Sequence, residues 1–219
     1  MGLFTNPYYE RKKVMIDKDR ALYGRDEVMN ITGVHYVKGT PIKGPFDRKY
    51  EIAYFALGCF WGAEKLFWKI DGVYTTASGY QGGYTKNPTY EEVCTAKTGH
   101  TETVMVVFDP HIISYENLVI KFFEGHDPTQ YMGQGNDIGT EYRSAIFPTS
   151  EIQFEIAMKI KDSYNKTLNL RGIGEITTEL YFLPTPTFYY AEEVHQQFLS
   201  KNPNGYCNLR GTGIACAIS

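Results

Sequence analysis

Residues 49–70, KYEIAYFALGCFWGAEKLFWKI, change their periodicity in the middle. Lys49 to Leu57 is rich in strand-forming residues and predicts a strand that stops at Gly58. From Cys59 to Ile70 the apolar residues recur at helical spacing, so Cys59 is expected at a strand-to-helix turn. Working outward, 73–80 reads as a second strand, followed by the turn-rich QGGYTKNP. Thr89 and Glu92 have capping-box spacing and open a short helix. TETVMVVF at 101–108 predicts a strand with Glu102, Val104, Val106 and Phe108 on one face. A helix over 114–124 with Ser114 as N-cap and a strand over 142–147 stopped by Pro148 come next. Ser150 and Gln153 then form a second capping box, opening a helix whose stripe is Ile152, Ile156, Ile160, Tyr164 and Leu168.

In order these elements run strand, helix, strand, strand, helix, strand, the split βαβ arrangement. The expected fold class is α+β, a two-layer sandwich with a ferredoxin-like core. Residues 1–48 have no sustained period and are expected to form an extended N-terminal arm without a function of their own. Residues 49–200 form the body, including a short strand past Thr177 and a helix over 191–199. Residues 201–219 make an irregular, mobile C-terminal tail of the same domain. There is no internal repeat, and 219 residues suit one well-covered core.

A net charge of -3 offers no basic surface for phosphate backbones or anionic membranes, so neither nucleic acid nor membrane is an expected partner. No segment is long and apolar enough to span a bilayer, and residues 1–13 do not read as a targeting signal. Four cysteines without a leader look like reactive or incidental thiols of a reducing compartment, which places the chain in the cytoplasm, with a monomer as the expected state. Dispersed histidines at 35, 100, 111, 126 and 195 and the absence of a CxxC or HxxxH pair argue against a metal site. The glycine-rich QGGY and GTGIAC lack the signature of a nucleotide-binding loop.

Chemistry concentrates around Gly58-Cys59-Phe60-Trp61-Gly62. A thiol at a helix start gains from free backbone N–H groups and the helix dipole, both of which favour thiolate, and Phe60 and Trp61 offer an apolar wall suited to a methyl group. A small buried cysteine would explain the same position. Glu102, among apolar neighbours, is a candidate general acid held protonated by desolvation; a solvent-facing or ion-paired carboxylate is the alternative. Tyr90 and Tyr142 could add phenolic hydrogen bonds, and Asp137 lies in a polar stretch that a plain turn also explains. Cys207 and Cys216 share a glycine-rich tail on which a resolving thiol could travel. Cys94, in the short capped helix, reads as structural.

GCFWGAE at 58–64 resembles the signature of the peptide-methionine (S)-S-oxide reductases. GGYTKNPTYEEVC (82–94), TGHTE (98–102), HDPTQ (126–130), GND (135–137), YRSAIFPTS (142–150), TFYYAEEVHQQFL (187–199) and NPNGYC (202–207) are similar to the same family in the same order. The resemblance implies that Cys59 attacks the sulfoxide sulfur and that Phe60 and Trp61 receive the substrate methyl. It implies that Glu102, Tyr90 and Tyr142 bind and protonate the oxygen, and that Asp137 belongs to the polar network. Cys207 would be the resolving cysteine and Cys216 a second recycling cysteine. Methionine S-sulfoxide, free or in proteins, is the implied substrate and protein repair after oxidation the implied role. No cofactor is implied beyond an external dithiol, thioredoxin or dithiothreitol; the ability of reductases to restore oxidised methionine is general chemistry. Ile138 and Glu141 stand where the family pattern has His and Gln, and Gly125 where it has Asn. A thiol peroxidase, or a binder of oxidised methionine without turnover, are the alternative expectations.

Overall fold

The computed structural model describes residues 6–182 and 184–216; the outermost ends of the expected arm and tail lie outside these. The elements in chain order are α1 (Pro7–Lys12), β1 (Glu51–Leu57), α2 (Phe60–Trp68), β2 (Val73–Gln81), α3 (Tyr90–Cys94), β3 (Thr101–Phe108) and α4 (Tyr115–Gly125). They continue with β4 (Gly133–Gln134), β5 (Asp137–Ile138), β6 (Ser144–Phe147), α5 (Glu151–Leu170), β7 (Glu179–Leu180), β8 (Tyr189–Tyr190) and α6 (Phe198–Lys201). A 3-10 turn, Thr140–Tyr142, leads into β6.

The main sheet has the order β7-β6-β1-β3-β2-β8. Strand β3 is antiparallel to both β1 and β2, and β6 is antiparallel to β1. β1 and β2 are therefore parallel, with β3 between them and α2 as the crossover, which is the split βαβ core expected from the sequence. The period of two divides β3 between the faces. Val104, Val106 and Phe108 join Phe60, Phe67, Leu118 and Phe122 of α2 and α4 in the principal core. Met105 and Val107 face the other way, where Ile31 and Ile42 of the N-terminal arm cover them. The arm thus supplies part of a third layer, and full burial of each isoleucine contributes roughly 1.5–3 kcal/mol.

Local chemistry sets the element ends. Thr89 closes a complete capping box with Glu92, and Ser114 caps α4 through the Asn117 N–H. Ser150 likewise accepts from the Gln153 N–H, but the Gln153 side chain does not return to Ser150. Its oxygen accepts from Thr149 N–H at 3.0 Å and its amide donates to the Ile52 carbonyl at 3.1 Å, so the expected second capping box is replaced by a tie to β1. The stripe on α5 also drifts: Ile160, Tyr164 and Leu168 are buried while Ile152 is exposed. α5 packs mainly on α4 rather than on the sheet.

The helix expected over 191–199 is short and late. Residues 193–197 are turns, Gln197 adopts a left-handed φ of 48°, and only Phe198–Lys201 is helical. The cause is a set of bonds back to the sheet. The Gln196 amide donates to Ser78 O and Ala191 O, and its oxygen accepts from Ser78 N–H. After it the tail follows no regular element yet is held: the Tyr164 hydroxyl donates to Ile214 O at 2.8 Å, and Cys216 N–H donates to Glu124 Oε1 at 3.1 Å. No helix among the described residues is long and apolar enough to cross a membrane.

Candidate active site

Gly58 ends β1 with a φ of 94°, and a Cβ there would lie 2.6 Å from Cβ of Gln134, so both conformation and space require glycine. This turn delivers Cys59 as the N-cap of α2. Its sulfur makes no capping hydrogen bond, but the backbone N–H groups of Trp61 and Gly62 at the helix start favour the thiolate, as the sequence suggests. Burial nevertheless dominates and pushes the thiol well above the ordinary cysteine range, and Glu102, whenever it is ionised, adds to the shift. The resting residue is therefore a thiol, contrary to the expectation drawn from its helix position alone. The residue as a whole is half-buried.

Glu102 points to the same place. Its Oε2 accepts the Phe60 N–H at 2.8 Å, the first helical N–H after Cys59, and the side chain is 1% exposed. Burial raises its proton affinity well above the usual carboxylate range, opposed by the Phe60 hydrogen bond and reinforced by Glu141 and Asp137. Tyr90 opens α3 and Tyr142 closes the 3-10 turn; burial raises both phenols, and each lies within electrostatic reach of Glu102. Tyr80 sits opposite Glu102 in the β2–β3 register. Burial raises the Cys94 thiol, and the nearby Tyr90 hydroxyl opposes the shift.

The apolar side is built by Phe60 and Trp61. Phe60 is fully buried beside Tyr80, Tyr90 and His195, with ring centroids 5.8, 6.5 and 5.3 Å away. Trp61 stacks on Phe198 at 3.8 Å, and its indole N–H donates to His195 Nδ1 at 3.1 Å. Burial lowers the proton affinity of His195, which suits this acceptor role. Glu192 holds the wall from behind: one carboxylate oxygen accepts from the Tyr80 hydroxyl at 2.9 Å and the other from Tyr90 N–H at 2.8 Å.

Asp137 flanks the site from β5; Oδ1 accepts from the Tyr206 hydroxyl at 3.1 Å, and Oδ2 is buried without a hydrogen-bond partner. Cys207 follows Tyr206. A Cβ added at Gly62 would lie 3.1 Å from the Cys207 sulfur, so the exposed thiol at 207 rests against the first turn of α2. Cys216 is 6% exposed in the principal core, and its thiol is pushed up to about 12 by burial and then by Glu124. All four cysteines are free. Among the described residues no group of three or more His, Cys, Asp or Glu side chains is arranged to hold a metal ion.

The structure therefore brings together Cys59, Phe60, Trp61, Tyr90, Glu102, Asp137, Tyr142 and Cys207, and leaves Cys216 in the core. Sequence reasoning did not single out Tyr80, Glu192, His195, Phe198 and Tyr206, although the segments 187–199 and 202–207 that carry most of them were noted. It also assigned nothing to the arm, whose Lys12 forms an ion pair with Glu141; no local pattern could show a partner so distant in sequence.

The chain matches the family described as peptide methionine sulfoxide reductase over residues 51–216. It is 54% identical to peptide methionine sulfoxide reductase MsrA 1 of Synechocystis sp. over 218 residues, covering 100% of this chain and 96% of that protein. It is also 54% identical to MsrA of Agrobacterium fabrum over 217 residues, 99% of this chain and all of that one. Among solved structures it resembles methionine sulfoxide reductase A of Corynebacterium diphtheriae, with a TM-score of 0.82 and 46% identity over 94% of this chain and 99% of the other. Mxr1 from Saccharomyces cerevisiae in reduced form aligns with a TM-score of 0.68 and 33% identity over 82% of this chain and 99% of the other. With a thiol, a buried carboxyl and an aromatic wall converging on one helix start, and with relatives this similar along their whole length, the chain belongs to the peptide methionine sulfoxide reductase family.

Proposed function

We propose that the chain reduces the S epimer of methionine sulfoxide, free or in proteins, at Cys59, as a repair of oxidised protein. The observation that carries this reading is the 2.8 Å hydrogen bond from Phe60 N–H to Glu102 Oε2, which fixes a buried carboxyl at the helix start that presents the thiol. With Oε2 occupied as an acceptor, the other oxygen of the neutral acid is available to donate to the sulfoxide oxygen, aided by the Tyr90 and Tyr142 hydroxyls. The substrate methyl lies against Phe60 and Trp61. The Cys59 sulfur forms a bond to the sulfoxide sulfur and gives up its proton, while the oxygen gains one through Glu102. Methionine departs, the oxygen ends on Cys59 as a sulfenic acid, and the sum is thiol plus sulfoxide to sulfenic acid plus sulfide.

Cys207 then displaces water from the sulfenic acid to form a Cys59–Cys207 disulfide, a reading supported by the placement of its sulfur against Gly62. Cys216 exchanges with that disulfide only after its stretch of the tail leaves the core, and an external dithiol of the thioredoxin type restores the thiols. No metal or organic cofactor enters this scheme. The test offers separate R and S epimers of a methionine sulfoxide peptide with excess dithiol. Turnover confined to S and abolished in Cys59→Ser is expected, and single-turnover reduction in Glu102→Gln should fall on the order of 10²-fold. Turnover of hydroperoxide in preference to sulfoxide, or binding without release of methionine, would reject the reading.

A further inference from the structure

Two buried carboxyls, not one, stand behind the candidate site. Glu141 sits in the 3-10 turn beside Tyr142 and its side chain is fully buried. Its backbone is tied to the strand that carries the other carboxyl: Thr101, the residue before Glu102, donates its hydroxyl to Glu141 O at 3.1 Å and to Arg143 O at 3.0 Å. Among the described residues no other side chain donates a hydrogen bond to either Glu141 carboxylate oxygen. The ion-pair partner is Lys12, from a helix that has no buried residue of its own. Lys12 itself is 16% exposed, an inward-turned cation on an otherwise solvated segment.

We propose that Lys12 and Glu141 are positioning residues for the reaction: the ammonium delivered by the N-terminal arm holds the negative charge of the buried cluster on Glu141 and so leaves the proton on Glu102. The proposal rests on Glu102 acting as the acid. Two carboxylates close together in a desolvated site cannot both ionise cheaply, and the one nearer a cation ionises first. Glu102 also meets the Phe60 N–H and Cys59 at the start of α2, Tyr80 of β2, Tyr90 and Cys94 of α3, Asp137 of β5 and Tyr142. None of these is a cation. Arg143, the second cation near Glu141, is engaged by Glu179 at 3.0 Å and by the Thr140 carbonyl at 2.8 Å. Lys12 is thus the cation in a position to select between the two acids. Acting directly, Glu141 raises the proton affinity of Glu102 more than Lys12 lowers it, so a Lys12 that keeps Glu141 ionised still leaves the proton on Glu102.

The experiment follows the infrared band of protonated Glu102 with pH in the full-length reduced enzyme, assigned by its loss in Glu102→Gln, alongside the pH profile of single-turnover sulfoxide reduction. Glu141→Gln removes the repelling charge and strands Lys12, so the pH at which the acid band disappears should fall by about one unit, and the alkaline limb of the rate with it. In Lys12→Met, Glu141 keeps its own proton and no longer repels Glu102, so both should move down by a smaller amount, and Lys12→Met/Glu141→Gln should match Lys12→Met; an upward move in Lys12→Met would overturn the proposal. If the band titrates at the same pH in wild type, Glu141→Gln and Lys12→Met, or if wild type shows no Glu102 acid band, the proposal is wrong. Lys12 lies on a surface helix, so its variant carries the test alone if Glu141→Gln does not fold. If Glu102→Gln keeps its full single-turnover rate while the band shifts as stated, the acid role of Glu102 falls and the charge assignment stands.

Discussion

At Cys59 a helix start and a buried carboxyl pull in opposite directions. Two backbone N–H groups at the start of α2 favour the thiolate, while desolvation and then Glu102 favour the thiol, and the latter pair wins. The turn itself was legible in the sequence, because the period changes from two to 3.6 across Gly58 and marks Cys59 as an N-cap. The ionisation was not, because its sign depends on a strand much later in the chain folding back to place Glu102 against Phe60 N–H. A thiol raised in this way should react slowly with a neutral alkylating agent near pH 7, with a rate–pH midpoint above that of a free cysteine at about 8.5. Replacing Glu102 by Gln removes the charge that this acid acquires in the alkaline range where the thiol titrates, but not the burial. The midpoint should therefore move down toward, without reaching, the free-thiol value, as followed by mass spectrometry of alkylated Cys59. A midpoint that stays where it is in Glu102→Gln would show that the carboxyl does not act on the sulfur.

The elements that could be read in advance are those whose own residues decide them. Alternation fixes β3, and Thr89, Ser114 and Ser150 each begin a helix by accepting a backbone N–H. The segment around His195 was misread as a longer helix because its polar residues bind elements far away in sequence. Glu64, in the middle of α2 and fully buried, accepts Gln197 N–H at 2.8 Å, Gln197 Nε2 at 2.7 Å, the Thr76 hydroxyl at 2.9 Å and the Ser78 hydroxyl at 3.1 Å. These four donors hold Gln197 in its left-handed turn and so set the start of α6, whose Phe198 stacks on Trp61. An amide at position 64 turns two donors toward donors. Glu64→Gln should cost about 2–4 kcal/mol in denaturant unfolding and redden or quench the Trp61 emission as the clamp loosens. Stability within about 0.5 kcal/mol of wild type would mean that the carboxylate is not what holds this segment.

At the scale of the whole molecule, the arm, the sheet and the C-terminal segment are joined by one chain of hydrogen bonds through Thr76. His35, fully buried in the arm, accepts the N–H groups of Val37 and Lys38 on Nδ1, so Nε2 carries its proton and donates to the Thr76 hydroxyl at 2.9 Å. Thr76 donates in turn to Glu64, which receives Gln197. The sequence shows the arm as unpatterned and cannot show this, since a lone histidine between glycine-rich stretches has no period to place it. Burial lowers the pKa of His35 to about 4, and Lys38 and Lys201 add to the shift. The unfolded value is near 6.5, so the stability that neutral His35 contributes is fully present above pH 6.5 and is lost as pH falls toward 4. Protonation also sets a second N–H against the Val37 and Lys38 donors. Buried acids such as Glu64 and Glu102 titrate in the opposite sense, so the total pH dependence does not isolate the histidine. A difference between variants does. In His35→Gln the loss of unfolding free energy between pH 7 and pH 5 should be smaller than in wild type by roughly 1–2 kcal/mol, with the other titrating groups common to both. Equal losses in the two proteins would mean that His35 is already charged, or already solvated, in the native state, and that the arm is not locked to the sheet through a neutral imidazole.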